Sequence, residues 1–341
     1  MLRFFQACLL VVVCTNAGSE LMASEAQLVI AHRGSSGYLP EHTLAAKAMA
    51  HAQGADFIEQ DLVMTADDQL IVFHDLVLDG VTNVSEVYPD RARDDGRFYV
   101  VDFTLSEIRN LELSERVRTV NGQSVPVYPE RFPPGRSRFR VHTFAEEIEL
   151  VEGLNHSTNR MVGIYPEIKN PRFHNEEGKD ISAAVLKVLA LYNFPGSGQP
   201  IFLQCFDPEE LRRIHDELLT GNQAGLPLVQ LIGEEPEFAP LLSEGGIAHV
   251  AGYAVGIGPS MQLLIDPSSV ADEIKDTGLV ARAHGAGLKV HPYTFRRDAG
   301  QIPAYARDFD HLLEIFFDDL GVDGVFTDFP DQVARFVEGE K

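Results

Sequence analysis

The chain has 341 residues, of which 45% are hydrophobic and 23% are charged, and it contains 28 Gly, 19 Pro and no Trp. These proportions are those of an ordinary globular protein and exclude collagen-like and intrinsically disordered chains. The 51 acidic residues outnumber the 28 lysines and arginines, which gives a formal charge of −23 and argues against a nucleic-acid partner. An anionic substrate would therefore need a local cluster of cations or a metal ion to draw it in.

The first 23 residues have the pattern of a secretory signal peptide. One positive charge, Arg3, precedes the apolar run 7–14, which is shorter than the roughly 20 residues needed to span a bilayer. Small residues allow cleavage after Ala17 or Ala23. We therefore expect a periplasmic or secreted protein whose mature domain, residues 24–341, has no stable membrane insertion.

Cys14 allows a second interpretation, a lipoprotein acylated at this residue. Val13 disfavours it, because it occupies a position at which such signals have a small residue. Cleavage after Ala17 or Ala23 leaves Cys205 as the last of the three cysteines, so no intramolecular disulfide can form.

Along the mature chain, short apolar runs alternate with segments of helical periodicity. The predicted strands are 28–31, 56–61, 70–74, 163–168, 200–206, 228–232, 254–258, 288–293 and 324–327. The predicted helices are 43–53, 144–152, 180–192, 208–219, 268–286, 309–320 and 330–338. This alternation predicts a parallel sheet, and about eight units favour a closed TIM (β/α)8 barrel over an open sheet. The first strand is not followed by the glycine-rich turn of a dinucleotide-binding fold.

Residues 76–141 interrupt the alternation. The region is rich in Asp, Arg, Pro and Gly, and its one short helical signal lies near 104–111. A region of this length without barrel periodicity is better explained by a small inserted subdomain that caps one end of the barrel than by a structureless loop.

Three carboxylates at strand ends form a candidate metal site. Glu59 and Asp61 are two residues apart on a predicted strand, so their side chains project to the same face, and Glu167 closes another strand. An all-oxygen set of this kind suits a hard ion, Ca²⁺ or Mg²⁺. The alternative for the pair is a solvated strand edge, which the flanking apolar residues disfavour.

Two histidines and two cations complete a chemically sensible set. His32 and His74 each end an apolar run, and together they could supply a general acid and a general base. Arg33 and Lys169 could bind a phosphate. Each histidine taken singly could equally be a hydrogen-bonded structural residue. Glu41 either orients Arg33 or only places a favourable charge at the start of the first helix.

Eight short motifs carry a family resemblance. They are HRG at 32–34, LPEHT at 39–43, EQDLVMT at 59–65, FHD at 73–75, YPEIK at 165–169, LQCFD at 203–207, HPYT at 291–294 and FTDFP at 326–330. In order and spacing they resemble the bacterial periplasmic glycerophosphodiester phosphodiesterase family over about residues 28–336. HRG alone would be weak, but the joint match is specific.

The resemblance implies a TIM barrel with an inserted subdomain, bound Ca²⁺, and hydrolysis of deacylated phospholipids to sn-glycerol 3-phosphate and an alcohol. The substrate would be a small-molecule glycerophosphodiester. The implied roles are acid/base catalysis for His32 and His74, metal binding for Glu59, Asp61 and Glu167, phosphate binding for Arg33 and Lys169, and glycerol contacts for Phe206 and Tyr293. No Gly-x-Ser-x-Gly elbow is present and Cys205 has no obvious base beside it, which leaves water or the substrate itself as the nucleophile. An internal attacker has a high effective molarity, so we expect the glycerol 2-hydroxyl to attack the phosphorus and form a cyclic phosphate.

Two other functions are consistent with the sequence. One is a related barrel phosphodiesterase that acts on lysophospholipids, which would need an apolar rim for acyl chains. The other is a surface lipoprotein that serves as a binding module, which would require lipidation of Cys14. The sequence is also compatible with a homodimer and does not fix the oligomeric state.

Overall fold

The computed structural model describes residues 27–271 and 273–339. The predicted signal peptide, residues 1–23, and the lipidation candidate Cys14 lie outside these ranges. The strands in chain order are β1 (Leu28–Ala31), β2 (Phe57–Met64), β3 (Leu70–Val72), β4 (Val117–Val120), β5 (Gln123–Pro126), β6 (Gly163–Ile168), β7 (Leu203–Cys205), β8 (Leu228–Ile232), β9 (Gly256–Pro259), β10 (Lys289–Val290) and β11 (Gly324–Thr327).

Eight of these strands form a parallel barrel in the order β10-β9-β8-β7-β6-β2-β1-β11. The two ends of this order are joined by backbone hydrogen bonds, 3.0 Å from Asp323 N to Val290 O and 2.8 Å from Phe295 N to Phe326 O. The predicted TIM barrel is therefore confirmed.

Strand β3 differs from the expected pattern, since it pairs antiparallel with β2 in the register Leu62↔Val72. Only the turn 65–69 separates the two strands. A parallel neighbour would need a crossover of a dozen or more residues, so this short connection forces a hairpin, and β3 is not a barrel strand.

Each predicted helix has a counterpart in the structure, whereas the helices at 84–87, 171–176 and 244–250 were not predicted. In chain order the helices are α1 (Leu44–Ala52), α2 (Val84–Val87), α3 (Leu105–Ile108), α4 (Phe144–Thr158), α5 (Pro171–Glu176), α6 (Ile181–Leu191), α7 (Pro208–Arg213), α8 (Glu244–Val250), α9 (Leu279–Gly285), α10 (Phe309–Glu314) and α11 (Pro330–Val337). Helices α7 and α10 continue as π-helical turns, Ile214–Leu218 and Ile315–Asp319. No helix within residues 27–271 and 273–339 is long and apolar enough to cross a membrane.

The helix predicted over 268–286 is wrong in its first half. The chain there folds back on itself through the bridges Ile265↔Asp276 and Val270↔Glu273. Gly278, with φ +74°, then turns the chain into α9. A left-handed residue cannot continue a right-handed helix, so α9 begins only after it.

The barrel interior is closed by a layer of large side chains below the polar residues at the strand ends. This layer consists of Ile30, Phe57, Tyr165, Val229 and Phe326, all buried. On β2 the inward residues begin with Phe57, whereas the outward Ile58 and Leu62 belong to the core between the strands and the helices. The alternation along a strand thus directs Glu59 and Asp61 inward, above the apolar layer.

Residues 76–141 contain α2, α3 and the hairpin of β4 and β5. They have a hydrophobic cluster of their own, in which Leu78, Phe98 and Phe103 pack with Val63 and Ile71 of the β2–β3 hairpin. The region is therefore packed on that hairpin, beside the C-terminal face of the barrel.

Candidate active site

A cavity of about 320 Å³ opens at the C-terminal ends of the barrel strands. This is the face at which TIM barrels carry their active sites. Nine of the ten residues singled out from the sequence line it, namely His32, Arg33, Glu59, Asp61, His74, Glu167, Lys169, Phe206 and Tyr293. The tenth, Glu41, lies behind the cavity and binds Arg33.

The three predicted carboxylates converge because their strands are neighbours. Strands β2 and β6 pair in parallel with Asp61 opposite Glu167, and Glu59 lies on the same face of β2. Burial and the negative charges of Asp61 and Glu167 raise the pKa of Glu59 well above its usual range. Burial raises the pKa of Glu167 to about 8, although the charge of Lys169 opposes this. Such a set is stabilised by a bound cation.

Asp61 retains an acceptor for such a cation. Its Oδ1 is buried and accepts no hydrogen bond from the described residues, although Lys169 Nζ lies 3.4 Å away. Ligand atoms of Glu59, Asp61 and His42 lie within 4.8 Å of one another, which is close enough for one ion. The residues therefore fit a divalent metal.

His42 is a further candidate residue of the site, which the sequence analysis missed. Its Nε2 donates a 2.8 Å hydrogen bond to Asp61 Oδ2, and burial lowers its pKa to about 3. Glu167 instead accepts a 2.8 Å contact from Lys169 Nζ and is not part of the group of three ligand atoms. The available signal for His42 was its place beside Glu41 in the LPEHT motif.

Arg33 is fixed by carboxylates on two sides. Its backbone N–H donates to Glu59 Oε2 at 2.5 Å, and its Nη1 donates to Glu41 Oε1 at 3.0 Å. The next residue, Gly34, has φ +86°, and a Cβ there would lie 2.8 Å from the carbonyl carbon of Ala46. Glycine is thus required for the turn that presents Arg33 to the cavity.

The two histidines have equivalent partners. His32 Nδ1 donates to Asp328 Oδ1 at 2.6 Å, and His74 Nδ1 donates to Asp75 Oδ1 at 2.5 Å. Burial and, next, the charge of Arg33 lower the pKa of each histidine to about 4. Each ring is therefore neutral at pH 7 and leaves Nε2 as the basic nitrogen.

Two aromatic rings form one wall of the cavity. Phe206 and Tyr293 meet edge to face with their centroids 5.8 Å apart, and Lys169 Nζ lies 5.9 Å from the centroid of Phe206. The same two aromatic residues also line a wider, adjoining cavity of about 1150 Å³. The carboxylates that line it are Glu167, Asp207, Glu209, Glu234, Glu235 and Glu237.

Comparison with known sequences gives one consistent family. The model of the glycerophosphoryl diester phosphodiesterase family matches residues 32–332. A glycerophosphodiester phosphodiesterase of Haemophilus influenzae is 45% identical, over 96% of this chain and 94% of its own. Another from Treponema pallidum is 37% identical, over 92% of each chain.

Solved structures share the fold. One from Silicibacter pomeroyi superposes with a TM-score of 0.66 at 25% identity, covering 93% of this chain and 94% of the other. An Oleispira antarctica phosphodiesterase, solved in complex with its product sn-glycerol-3-phosphate, gives a TM-score of 0.62 at 20% identity over 92% and 97% of the chains.

Proposed function

Because the chain belongs to the glycerophosphoryl diester phosphodiesterase family, we propose that its barrel-mouth site hydrolyses glycerophosphodiesters to sn-glycerol 3-phosphate and an alcohol. The observation that carries this proposal is that one cavity holds two carboxylate-bound histidines together with two cations. Two imidazoles supply both proton transfers that cleavage of a phosphodiester requires.

Arg33 and Lys169 bind the phosphate. The guanidinium of Arg33 is already oriented by Glu41, so little side-chain entropy is lost when it binds two phosphate oxygens. Lys169 is held by Glu167 at 2.8 Å and contributes a point charge. These two cations offset the repulsion that the chain's charge of −23 exerts on an anion.

The nucleophile is the glycerol 2-hydroxyl. One histidine Nε2 removes its proton, the oxygen attacks phosphorus, and the alcohol leaves with a proton from the other histidine, which gives a cyclic 1,2-phosphate. Water then opens the ring, and the two histidines exchange roles. The negative phosphate beside both rings raises their pKa, so one of them can carry the required proton.

The carboxylates of this cavity could hold a divalent metal ion next to the bound phosphate. Glu59 and Asp61, with Glu167 or His42 completing the set, would hold it, and we propose Ca²⁺ because the carboxylates are hard oxygen ligands, with Mg²⁺ as the alternative. The ion would supply Lewis-acid stabilisation of the charge that develops at phosphorus.

The alcohol portion of the substrate extends past Phe206 and Tyr293 into the adjoining cavity. Six carboxylates line that cavity together with apolar residues such as Phe238, Pro240 and Leu241. The negative charge of the carboxylates suits a cationic headgroup better than the acyl chain of a lysophospholipid. Phe206 and Tyr293 contact the glycerol.

The test is a coupled assay for glycerol 3-phosphate with glycerophosphocholine and glycerophosphoethanolamine as substrates. We expect release that EDTA abolishes and Ca²⁺ restores, whereas full activity after exhaustive chelation would refute the metal. A 2-deoxyglycerol diester should bind without reacting. Its hydrolysis at a rate close to that of the parent would show direct attack by water.

We also propose export to the periplasm or the medium, on the evidence of the leader pattern in residues 1–23. Mass spectrometry of the mature N-terminus tests this proposal. A chain that begins after Ala17 or Ala23 is expected, and an acylated Cys14 would identify a lipoprotein instead.

A further inference from the structure

Two arginines of the segment 76–141 donate hydrogen bonds to the carboxylates that pair with the two histidines. Arg116 binds Asp75, the partner of His74, and Arg131 binds Asp328, the partner of His32. We propose that Arg116 and Arg131 are positioning residues for the phosphodiesterase reaction, so that this segment is part of the catalytic apparatus rather than only a cap. The inference rests on the proposed function where it assigns catalysis to His32 and His74.

Arg116 connects a histidine with the phosphate-binding arginine. Its Nη1 donates to Asp75 Oδ2 at 2.7 Å. Its Nη2 and Nε donate to the two oxygens of Glu41 at 2.6 and 3.0 Å, and Glu41 Oε1 in turn binds Arg33. One guanidinium therefore fixes the supports of both His74 and Arg33.

Arg131 is buried and supports His32 through Asp328, as Arg116 supports His74 through Asp75. Its Nη2 donates to Asp328 Oδ2 at 2.6 Å, while Nε and Nη2 bind the two oxygens of Asp298 at 2.8 and 2.6 Å. Asp328 uses its other oxygen, Oδ1, for His32. Asp328 Oδ2 also accepts a 2.7 Å hydrogen bond from Arg296, which lies between β10 and β11. His32 thus has a second support that does not depend on the segment.

The two arginines act by orienting the carboxylates and, through them, the imidazole rings. A carboxylate held by an arginine on one oxygen presents the other oxygen in a fixed direction, so the imidazole keeps its proton on Nδ1 and turns Nε2 toward the substrate. Without the arginine the carboxylate can rotate, and the second tautomer becomes populated. Partners of this kind commonly change function by 10- to 100-fold when they are removed.

The experiment compares Arg116→Gln and Arg131→Gln with Arg93→Gln. Arg93 is a matched control in the same segment, because it also makes ion pairs, to Asp102 at 2.7 Å and to Glu177 of the barrel at 2.7 Å. Neither partner touches a histidine of the site. Each variant is assayed for kcat and KM with glycerophosphocholine and Ca²⁺, and the imidazole ¹⁵N signals are recorded without substrate.

We expect Arg116→Gln to lower kcat about tenfold or more and to raise KM, because it releases both His74 and Arg33. Arg131→Gln should lower kcat less, since Arg296 remains, and should leave KM close to wild type. The Nε2-protonated tautomer should appear for His74 in the first variant. Arg116→Lys, which keeps the charge but cannot bind Asp75 and Glu41 together, should recover part of kcat. Arg93→Gln should stay within about twofold of wild type.

The proposal is overturned if the two variants lose no more kcat than Arg93→Gln, or if the His74 signals of Arg116→Gln match those of wild type. If Arg131→Gln does not fold, Arg131→Lys replaces it under the same criteria. The imidazole signals need no substrate, so they decide the positioning role even if the wild-type protein fails to hydrolyse glycerophosphodiesters, an outcome that would count against the proposed function alone.

Discussion

Strand β2 carries buried polar groups on both faces, and the two faces differ in how these groups are balanced. The inner cluster, facing the barrel interior, consists of Glu59 and Asp61 with Glu167 from the neighbouring strand. The outer cluster, facing helices α1 and α4, consists of Lys47, His142 and Glu147 around Gln60. Lys47 Nζ lies 3.0 Å from Glu147 Oε1, and His142 Nε2 lies 2.7 Å from Glu147 Oε2.

The pKa values of the two glutamates move in opposite directions. Burial raises the pKa of Glu59, and the charge of Asp61 raises it further. Burial also acts to raise the pKa of Glu147, but the charge of Lys47 and the hydrogen bonds of His142 and Gln60 outweigh it and lower the pKa to about 2. Glu147 in the outer cluster is therefore neutralised within the protein, although His142 Nδ1 has no hydrogen-bond partner among the described residues. The inner cluster leaves negative charge for a ligand to neutralise. An imbalance of this kind marks a functional site.

The largest effect is expected for Glu59→Gln. Losing one of the proposed metal ligands should lower the turnover of glycerophosphocholine by about 10³ or more, equivalent to ~4 kcal/mol. The metal-free variant should unfold at equal or higher denaturant concentration than metal-free wild type, because one member of a set of like charges has been neutralised. The coupled assay and urea titrations measure the two effects. A large loss of stability would show that Glu59 is a structural residue.

The same substitution in the outer cluster, Glu147→Gln, should do the reverse. It leaves Lys47 buried without its counter-ion, so the free energy of unfolding should fall by about 3–5 kcal/mol. Turnover per folded molecule should change far less than in Glu59→Gln. Urea titrations followed by circular dichroism measure the loss, and a cost below about 1 kcal/mol would contradict the contrast between the faces.

Substitution of histidines provides a second comparison between the two faces of β2. His32→Ala and His74→Ala should each lower kcat by about 10², the usual range for loss of a general acid or base, while both variants remain folded. His142→Ala should leave kcat close to wild type and reduce stability by about 1–3 kcal/mol, because Glu147 loses a buried donor. If His32→Ala or His74→Ala kept wild-type turnover, that histidine would be structural.

The smallest effect, taken per pH unit, is the change in acid stability. Since the folded-state pKa of Glu147 is depressed from 4.5 to about 2, its ionisation contributes stability that is present above pH 4.5 and is lost as the pH falls toward 2. Within that interval, wild type should lose about 1.4 kcal/mol per pH unit from this group. The control is Glu147→Gln, whose unfolding free energy should fall less steeply over the same interval. Parallel curves for the two proteins would refute the assignment.

The sequence alone determined the barrel and the chemical character of its mouth. Apolar periodicity is a local signal, so strands such as β6 and β8 were predicted with the bounds that the structure has. Polar residues at the ends of parallel strands must meet at one face, which is why Glu59, Asp61 and Glu167 could be placed together. The alternation on β2 likewise placed Glu59 and Asp61 on the same face of the strand.

Only the tertiary structure decided which distant groups pair. Asp328 binds His32 and Arg131 from 296 and 197 residues away, and no local period specifies such contacts. The same is true of His42 on Asp61, since it depends on the turn after β1 rather than on a strand. The antiparallel direction of β3 was set by its short connection to β2, and the start of α9 was set by the left-handed Gly278. Such constraints override apolar patterning because side-chain burial cannot compensate for a sterically forbidden backbone.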